Sequence, residues 1–182
     1  MGMFIVLEKI KDGIIKYEDI VTVSENASSM GGSQVFLEPG EQITVHDLFK
    51  AICIASANDA IVALGEHAYG SEEKFIQEMN HMAKKLGMNA TNFVNATGFH
   101  DENHYTTAND MATLALALLT NYGDEVLKYT SMYEGYIREN TQKPFWLVNT
   151  NKLVRFYEGL DGLKTGFTST SGYNLTATPV FS

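Results

Sequence analysis

Asp161-Gly162-Leu163-Lys164-Thr165-Gly166-Phe167-Thr168 is the most informative stretch of the chain, because it places a cation, a hydroxyl and a glycine on a predicted strand. About a hundred residues before it stands Ser56-Ala57-Asn58. Lys-Thr-Gly and Ser-x-Asn are two of the three elements of a serine acyl-transfer site, in the expected order. The third element, a Ser-x-x-Lys carrying the nucleophile, should precede Ser56, and residues 1–55 hold no such string. The sequence indicates a chemistry while lacking the residue that would perform it.

Composition bounds the class of protein. The chain has 182 residues, enough for one good core, with 45% hydrophobic and 19% charged residues, as in ordinary globular proteins. A net charge of −9 argues against nucleic acid as a partner. No apolar run reaches the roughly 18 residues of a membrane-spanning helix. The single cysteine, Cys53, excludes an internal disulfide and a cysteine-rich metal site.

Periodicity and capping signals predict a mostly helical α+β chain with a β-hairpin near its C-terminus. Asp161-Gly162 is typical of a turn, and Pro39-Gly40 of another. The predicted helices cover residues 4–10, 48–55, 60–68, 72–86, 111–119 and 124–129, with N-terminal caps expected at Thr44, Ser71 and Thr107. The predicted strands are a short one within residues 17–26 and those at residues 133–138, 145–148, 153–157, 163–167 and 173–178, of which the last two form a hairpin.

Both ends of the chain have features expected of a truncation. No Ser, Thr, Asp or Asn precedes Phe4 to cap the first apolar helix, so we expect that helix to begin further upstream. A lone hairpin is marginally stable in water, so we expect further strands after Ser182. Residues 1–182 are therefore predicted to form a single incomplete domain.

Lys164-Thr165-Gly166 is suited to binding an extended peptide that ends in a carboxylate. The ammonium and the hydroxyl can both reach a ligand laid along the strand, and Gly166 lets its backbone approach closely. In Ser56-Ala57-Asn58, the hydroxyl can relay a proton and the amide can orient a carbonyl. Taken singly, both motifs are weak. Lys164-Thr165-Gly166 alone is better explained as an edge-strand lysine that discourages aggregation, and a locally capped helix break is a common explanation of Ser56-Ala57-Asn58.

Over nearly its whole length the chain resembles the low-molecular-mass penicillin-binding proteins, the serine-type D-alanyl-D-alanine carboxypeptidases. Asp161-Gly162-Leu163-Lys164-Thr165-Gly166-Phe167-Thr168 carries the most specific part of the resemblance. Shorter family-like stretches are Val23-Ser24-Glu25-Asn26-Ala27, Gly31-Gly32-Ser33, Leu37-Glu38-Pro39-Gly40-Glu41, Ile54-Ala55-Ser56-Ala57-Asn58-Asp59-Ala60, His104-Tyr105-Thr106-Thr107-Ala108 and Asn149-Thr150-Asn151-Lys152-Leu153.

The resemblance implies the α+β transpeptidase fold shared by penicillin-binding proteins and serine β-lactamases, truncated at both ends. In this fold a helical lobe packs against part of an antiparallel sheet. It implies that the missing Ser attacks the D-Ala-D-Ala carbonyl and that the missing Lys takes its proton. Ser56 would pass that proton to the leaving D-alanine, and Asn58 would hold the substrate amide and the Lys. Lys164 and Thr165 would bind the terminal carboxylate.

Other roles follow from the same resemblance. The Phe167 N–H would supply half of the oxyanion hole, and Gly166 and Thr168 would complete the substrate-binding strand. The implied partners are peptidoglycan stem peptides and β-lactams, with no cofactor and no metal. The full-length protein would work in the bacterial cell envelope, outside the cytoplasm, and would meet the membrane only through segments absent here. The resemblance also implies that this chain alone is inactive.

Alternative interpretations remain open. One is a serine β-lactamase-like acyl hydrolase on the same fold, although Ala57 at the middle of Ser56-Ala57-Asn58 favours the carboxypeptidase. Another is a non-catalytic fragment that binds peptide or self-associates into a homo-oligomer through open sheet edges. Ser71-Glu72-Glu73-Lys74 matches Ser-x-x-Lys, but it follows Ser56 and reads as a helix cap. His100 and His104 have the spacing of a zinc-binding helix, but their flanks indicate a loop, so a metal hydrolase is the weaker enzyme alternative.

Overall fold

The architecture is a helical lobe with three small antiparallel sheets, described by a computed structural model for residues 1–179. The helices are α1 Gly2–Lys11, α2 Glu25–Ser28, α3 Val45–Ala55, α4 Asn58–Tyr69, α5 Glu72–Lys85, α6 Ala108–Thr130 and α7 Leu153–Phe156. The strands are β1 Ile20–Thr22, β2 Gln42–Thr44, β3 Glu134–Ile137, β4 Phe145–Val148, β5 Leu160–Thr168 and β6 Gly172–Pro179. Within residues 1–179 no helix is both long and apolar enough to cross a membrane.

The core lies where α1, α3 and α4 pack together. Phe4 and the three apolar residues after it in α1 are buried, which confirms the predicted helix, and Gly13 follows its end with φ of +71°. α4 and α5 approach closely at Gly65, where a Cβ would run into the Phe75 ring. This packing fixes the break between α3 and α4 against the rest of the lobe.

Three N-terminal caps predicted from the sequence are present. The Thr44 hydroxyl accepts from the Asp47 N–H at the start of α3, and Ser71 and Thr107 cap α5 and α6 in the same way. Each hydroxyl satisfies a backbone donor that the helix cannot pair. The two helices predicted between residues 111 and 129 form one element, α6, interrupted by non-helical backbone at Tyr122 (φ −142°).

The β5–β6 hairpin carries the predicted substrate-binding strand. Its strands pair antiparallel with Lys164 opposite Thr176 and Phe167 opposite Tyr173. The predicted turn at Asp161-Gly162 is wrong, because both residues lie inside β5. The pairing register shifts between Leu160 and Leu163, so the chain leaves the ladder there without reversing direction.

Residues 153–157 also differ from their predicted strand, and most of them form the single helical turn α7. The side-chain oxygen of Asn151 accepts the Leu153 N–H at 3.2 Å. This local bond takes the backbone donor that a strand would have offered to a neighbour.

Candidate active site

Ser56 lies at the break between α3 and α4. Its backbone is left-handed (φ 59°, ψ 36°), and its N–H donates to the Ala51 carbonyl at the end of α3. Helix α4 then begins at Asn58, with Ala57 as its N-cap. Left-handed backbone is uncommon for serine. The break therefore turns the Ser56 and Asn58 side chains out of the helices toward one cleft.

Asn58 is held on both its backbone and its side chain. Its N–H donates to the Ser33 carbonyl at 2.7 Å, and its Nδ2 donates to the Gly31 carbonyl at 2.9 Å. Between them, Gly32 has φ of +77°, and a Cβ there would lie 2.9 Å from Asn58 Nδ2. Glycine is thus required at position 32, and the amide orientation of Asn58 is fixed by the neighbouring loop.

Lys164 reaches across from β5 to the helix break. Its Nζ donates to Ser56 Oγ at 2.7 Å and to the Thr165 carbonyl at 2.8 Å. Burial lowers the pKa of the Lys164 ammonium from 10.5 to about 8. An ammonium that is poorly hydrated and bonded to two neutral oxygens is well prepared for an anionic ligand.

The loop before α7 ties β5 to the helical lobe. Thr165 Oγ1 donates to Thr150 Oγ1 at 2.7 Å, and the Thr150 N–H donates to the Ile54 carbonyl near the end of α3 at 3.1 Å. Buried Asn151 donates to the Gly162 carbonyl at 3.1 Å, where β5 leaves the ladder. These bonds set how far Lys164 stands from Ser56.

One cavity of about 1,090 Å³ is lined by all seven residues predicted from the sequence. Gly166 and Phe167 form its exposed wall, with Phe167 61% exposed. Met1 and Gly2 also line it, at the start of α1. The seven predicted residues are Ser56, Asn58, Lys164, Thr165, Gly166, Phe167 and Thr168.

Part of the lining carries no signal of function in the sequence. Thr150 and Asn151 lie in a family-like stretch to which the resemblance assigns no role, and residues 93 and 95–99 have the pattern of a loop. Nothing in the local pattern marks that loop as a wall of the cleft. Its placement depends on Asn80, which bonds both the N–H and the carbonyl of Phe93 from α5.

The structure does not support Ser71 as a nucleophile or the pair His100 and His104 as a zinc site. Ser71 accepts the Lys74 N–H at 3.2 Å as the cap of α5 and does not line the cavity. His104 does line it, but on a loop, where Nδ1 accepts the Val94 N–H at 3.3 Å. Among residues 1–179, no group of three or more His, Cys, Asp or Glu side chains is placed to hold a metal ion.

The arrangement brings an ammonium, two hydroxyls and an amide into one groove beside an extended strand. Such a groove can bind a carboxylate and pass a proton between a nucleophile and a leaving amine. Among the described residues, no serine with a lysine three positions later lines the cavity.

Known proteins share both the fold and the sequence of this chain. The architecture is the transpeptidase fold of penicillin-binding proteins: penicillin-binding protein 5 of Haemophilus influenzae superposes on 100% of this chain and 52% of its own, with a TM-score of 0.91 and 32% identity. The profile of the family described as D-alanyl-D-alanine carboxypeptidase matches residues 1–181, and the chain belongs to that family.

Two further relatives show what share of a family member's length this chain covers. D-alanyl-D-alanine carboxypeptidase DacF of Bacillus subtilis is 52% identical over 97% of this chain and 45% of its own length. Penicillin-binding protein D2 of Listeria monocytogenes, in its ampicillin-bound form, is 31% identical with a TM-score of 0.84, covering 99% of this chain and 71% of that one. The chain thus spans a little under half of the DacF relative.

Proposed function

We propose that residues 1–182 are part of a single catalytic domain of a serine D-Ala-D-Ala carboxypeptidase that trims peptidoglycan stem peptides and is acylated by β-lactams. The observation that carries this proposal is the 2.7 Å bond from Lys164 Nζ to Ser56 Oγ, in a cavity shared with Asn58 and Thr165. The bacterial cell envelope, outside the cytoplasm, is the corresponding location, since the substrate lies there.

The nucleophile is proposed to come from residues directly before Met1. Met1 and Gly2 line the cavity at the first turn of α1, so an upstream continuation of that helix enters the cleft. A Ser-x-x-Lys there has i,i+3 spacing, which places both side chains on one helix face. Its lysine would lie within reach of the Ser56 and Asn58 side chains.

The reaction follows from these positions. The serine Oγ attacks the carbonyl carbon of the penultimate D-alanine while the lysine takes its proton. The negative charge on the carbonyl oxygen is stabilised by the Phe167 N–H and by the serine's own N–H. The amide C–N bond then breaks, and the proton passes through Ser56 Oγ to the departing D-alanine nitrogen. Water hydrolyses the resulting ester and releases the shortened peptide.

Substrate binding uses the strand β5. Lys164 and the Thr165 hydroxyl hold the terminal carboxylate, which replaces the neutral oxygens that Lys164 contacts in the free protein. Asn58 holds the substrate amide on the opposite wall. Gly166 and Thr168 leave room for the peptide backbone along the strand.

The test is D-alanine release by the natural full-length protein from an acyl-D-Ala-D-Ala peptide. We expect release together with a β-lactam adduct that persists for minutes or longer. Rapid turnover of the β-lactam with no D-alanine release would favour a β-lactamase-like acyl hydrolase instead. Neither activity in the full-length protein would contradict the proposed function.

Without the upstream serine, this chain is proposed to be inactive and to associate through its sheet edge. Tyr173 and Leu175 of β6 are 91% and 48% exposed, and in residues 1–179 β6 pairs only with β5. An open edge with apolar side chains is a template for pairing with a second copy. Light scattering of this chain over a concentration series tests that behaviour, and a constant monomer mass would contradict it.

A further inference from the structure

Asp59 is a completely buried carboxylate to which the proposed reaction gives no role. Its exposed fraction is 0%, and it directly follows Asn58 in the first turn of α4. All the hydrogen bonds it accepts in the described chain come from backbone N–H groups. An isolated carboxylate is costly to bury unless its oxygens are hydrogen-bonded. The bonds to Asp59 offset that cost, and the role of a carboxylate at this position calls for an explanation.

The donors belong mainly to the segment of residues 31–37, which runs beside α4. The Val35 N–H lies 3.0 Å from Oδ2 and 3.2 Å from Oδ1, and the Leu37 N–H lies 3.1 Å from Oδ2. The Ala60 N–H, within α4 itself, completes the set at 2.9 Å from Oδ1. Asp59 thus joins one end of this segment to the helix that carries Asn58.

The other end of the same segment holds Asn58 itself. The Gly31 carbonyl accepts from Asn58 Nδ2, and the Ser33 carbonyl accepts from the Asn58 N–H. One Nδ2 hydrogen is therefore committed to the segment, while Oδ1 and the second Nδ2 hydrogen remain for the cleft. If the segment moves, the orientation of the Asn58 amide moves with it.

We infer that Asp59 is a positioning residue for Asn58: its carboxylate anchors residues 31–37, whose Gly31 carbonyl orients the amide that meets the substrate. This inference rests on the proposed acyl-transfer function. Asp59 then affects how Asn58 recognises the ligand amide. It acts through the backbone of residues 31–37 and does not touch the ligand.

The decisive variant is Asp59→Asn, which replaces one acceptor oxygen by an N–H₂ donor facing the Val35 and Leu37 donors. The matched control is Asp110→Asn. Asp110 is also buried, 7% exposed, and its Oδ2 accepts from the Ala90 N–H at 2.9 Å and the Thr91 hydroxyl at 2.7 Å. Asp110, Ala90 and Thr91 do not line the cavity.

The first measurement uses this chain and does not depend on the proposed function. Hydrogen exchange of the Asn58 side-chain amide, followed by NMR, is expected to be slow in the wild type. Asp59→Asn should accelerate it at least tenfold, whereas Asp110→Asn should leave it within twofold. Equal exchange in the wild type and in Asp59→Asn would overturn the inference.

The second measurement uses the natural full-length protein and compares acylation by benzylpenicillin with acylation by 6-aminopenicillanic acid, which lacks the side-chain amide. We expect Asp59→Asn to lower the benzylpenicillin rate at least tenfold and to shrink the ratio of the two rates toward one. A general loss of structure would lower both rates together and would overturn the inference.

Two further outcomes separate the inference from the proposed function. If the wild-type full-length protein is not acylated at all, the proposed function fails, and the amide exchange alone decides the positioning role. If Asp59→Asn does not fold, Asp59→Ser removes the carboxylate without adding an amide donor and is measured in its place. Should neither fold while Asp110→Asn does, Asp59 serves the fold and the positioning role is contradicted.

Discussion

Lys164 Nζ donates a hydrogen bond to Ser56 Oγ at 2.7 Å, joining residues 108 positions apart in the chain. The bond brings strand β5 and the break between α3 and α4 together. Burial lowers the pKa of this lysine to about 8.

Lys164 should contribute to the free energy of unfolding with a positive pH slope between about 8 and 10.5, seen as the difference between the wild type and Lys164→Met. The folded state loses the Lys164 proton near pH 8 and the unfolded chain near 10.5, so at this group the unfolded state binds more protons between these values. The pKa difference sets an upper limit on the order of 3 kcal/mol. Urea denaturation over this pH range measures the slope.

The control for that slope is Lys164→Met, which keeps the aliphatic length and removes the titrating group. Other shifted groups are present in both proteins and are removed by the comparison. They include the Met1 α-amino group, whose pKa is lowered to about 5 by burial, and Cys53 and Tyr17, whose pKa values are raised by burial and which act with the opposite sign. An identical pH slope in the wild type and in Lys164→Met would contradict the assignment of a lowered pKa to Lys164.

Gly166→Ala should leave the fold intact and weaken ligand binding. A Cβ at Gly166 meets no heavy atom within 4 Å, so the change in the free energy of unfolding should stay within about 0.5 kcal/mol. The added methyl group would, however, occupy the strand edge along which the peptide backbone is proposed to lie. Acylation of the full-length protein by benzylpenicillin should slow at least tenfold.

Gly123→Ala is the matched control for Gly166→Ala, because it also finds open space, in α6 and away from the cavity. Its acylation rate should equal that of the wild type. If Gly166→Ala is also acylated at the wild-type rate, the proposal that the ligand backbone lies close against β5 is wrong.

Gly65→Ala should destabilise the helical lobe. A Cβ there would collide with the Phe75 ring, which is fully buried. Overpacking of this kind costs about 1–3 kcal/mol. Thermal and urea unfolding compared with Gly123→Ala measure the loss, and wild-type stability of Gly65→Ala would show that α4 and α5 do not pack as described.

Asn151→Ala should destabilise the junction between β5 and the helical lobe. The substitution leaves the Gly162 carbonyl and the Leu153 N–H without their side-chain partner, at a cost of about 1–3 kcal/mol. Asn174→Ala is the control, because the Asn174 amide makes its bonds at the exposed hairpin turn. Equal free energies of unfolding in the two variants would contradict the bridging role of Asn151.

The sequence predicted the features that depend on neighbours in the chain. The caps at Thr44, Ser71 and Thr107 and the β5–β6 hairpin were all predictable, because each relies on side chains within a few residues. The resemblance then predicted which seven residues share the cleft. A local pattern failed at residues 153–157, where apolar and β-branched residues favoured a strand and the Asn151 side chain instead captured the Leu153 N–H.

What the sequence could not predict is contact between distant residues of ordinary type. No local signal links Thr150 to Thr165, or Asp59 to Val35 and Leu37, because these bonds follow from the packing of separate elements. The same holds for residues 93 and 95–99, whose pattern is that of any polar loop. Side chains that position the site are therefore harder to find from sequence than those that match a motif.

Intact-mass spectrometry after incubation with benzylpenicillin tests whether the acylated serine lies upstream of Met1. Two proteins are compared: this chain, and the natural full-length protein that contains it. We predict no adduct on residues 1–182 alone and one stoichiometric adduct on the full-length protein, mapped to a serine upstream of Met1 and three residues before a lysine. A stoichiometric adduct on residues 1–182, at Ser71 or any other serine, would contradict the account.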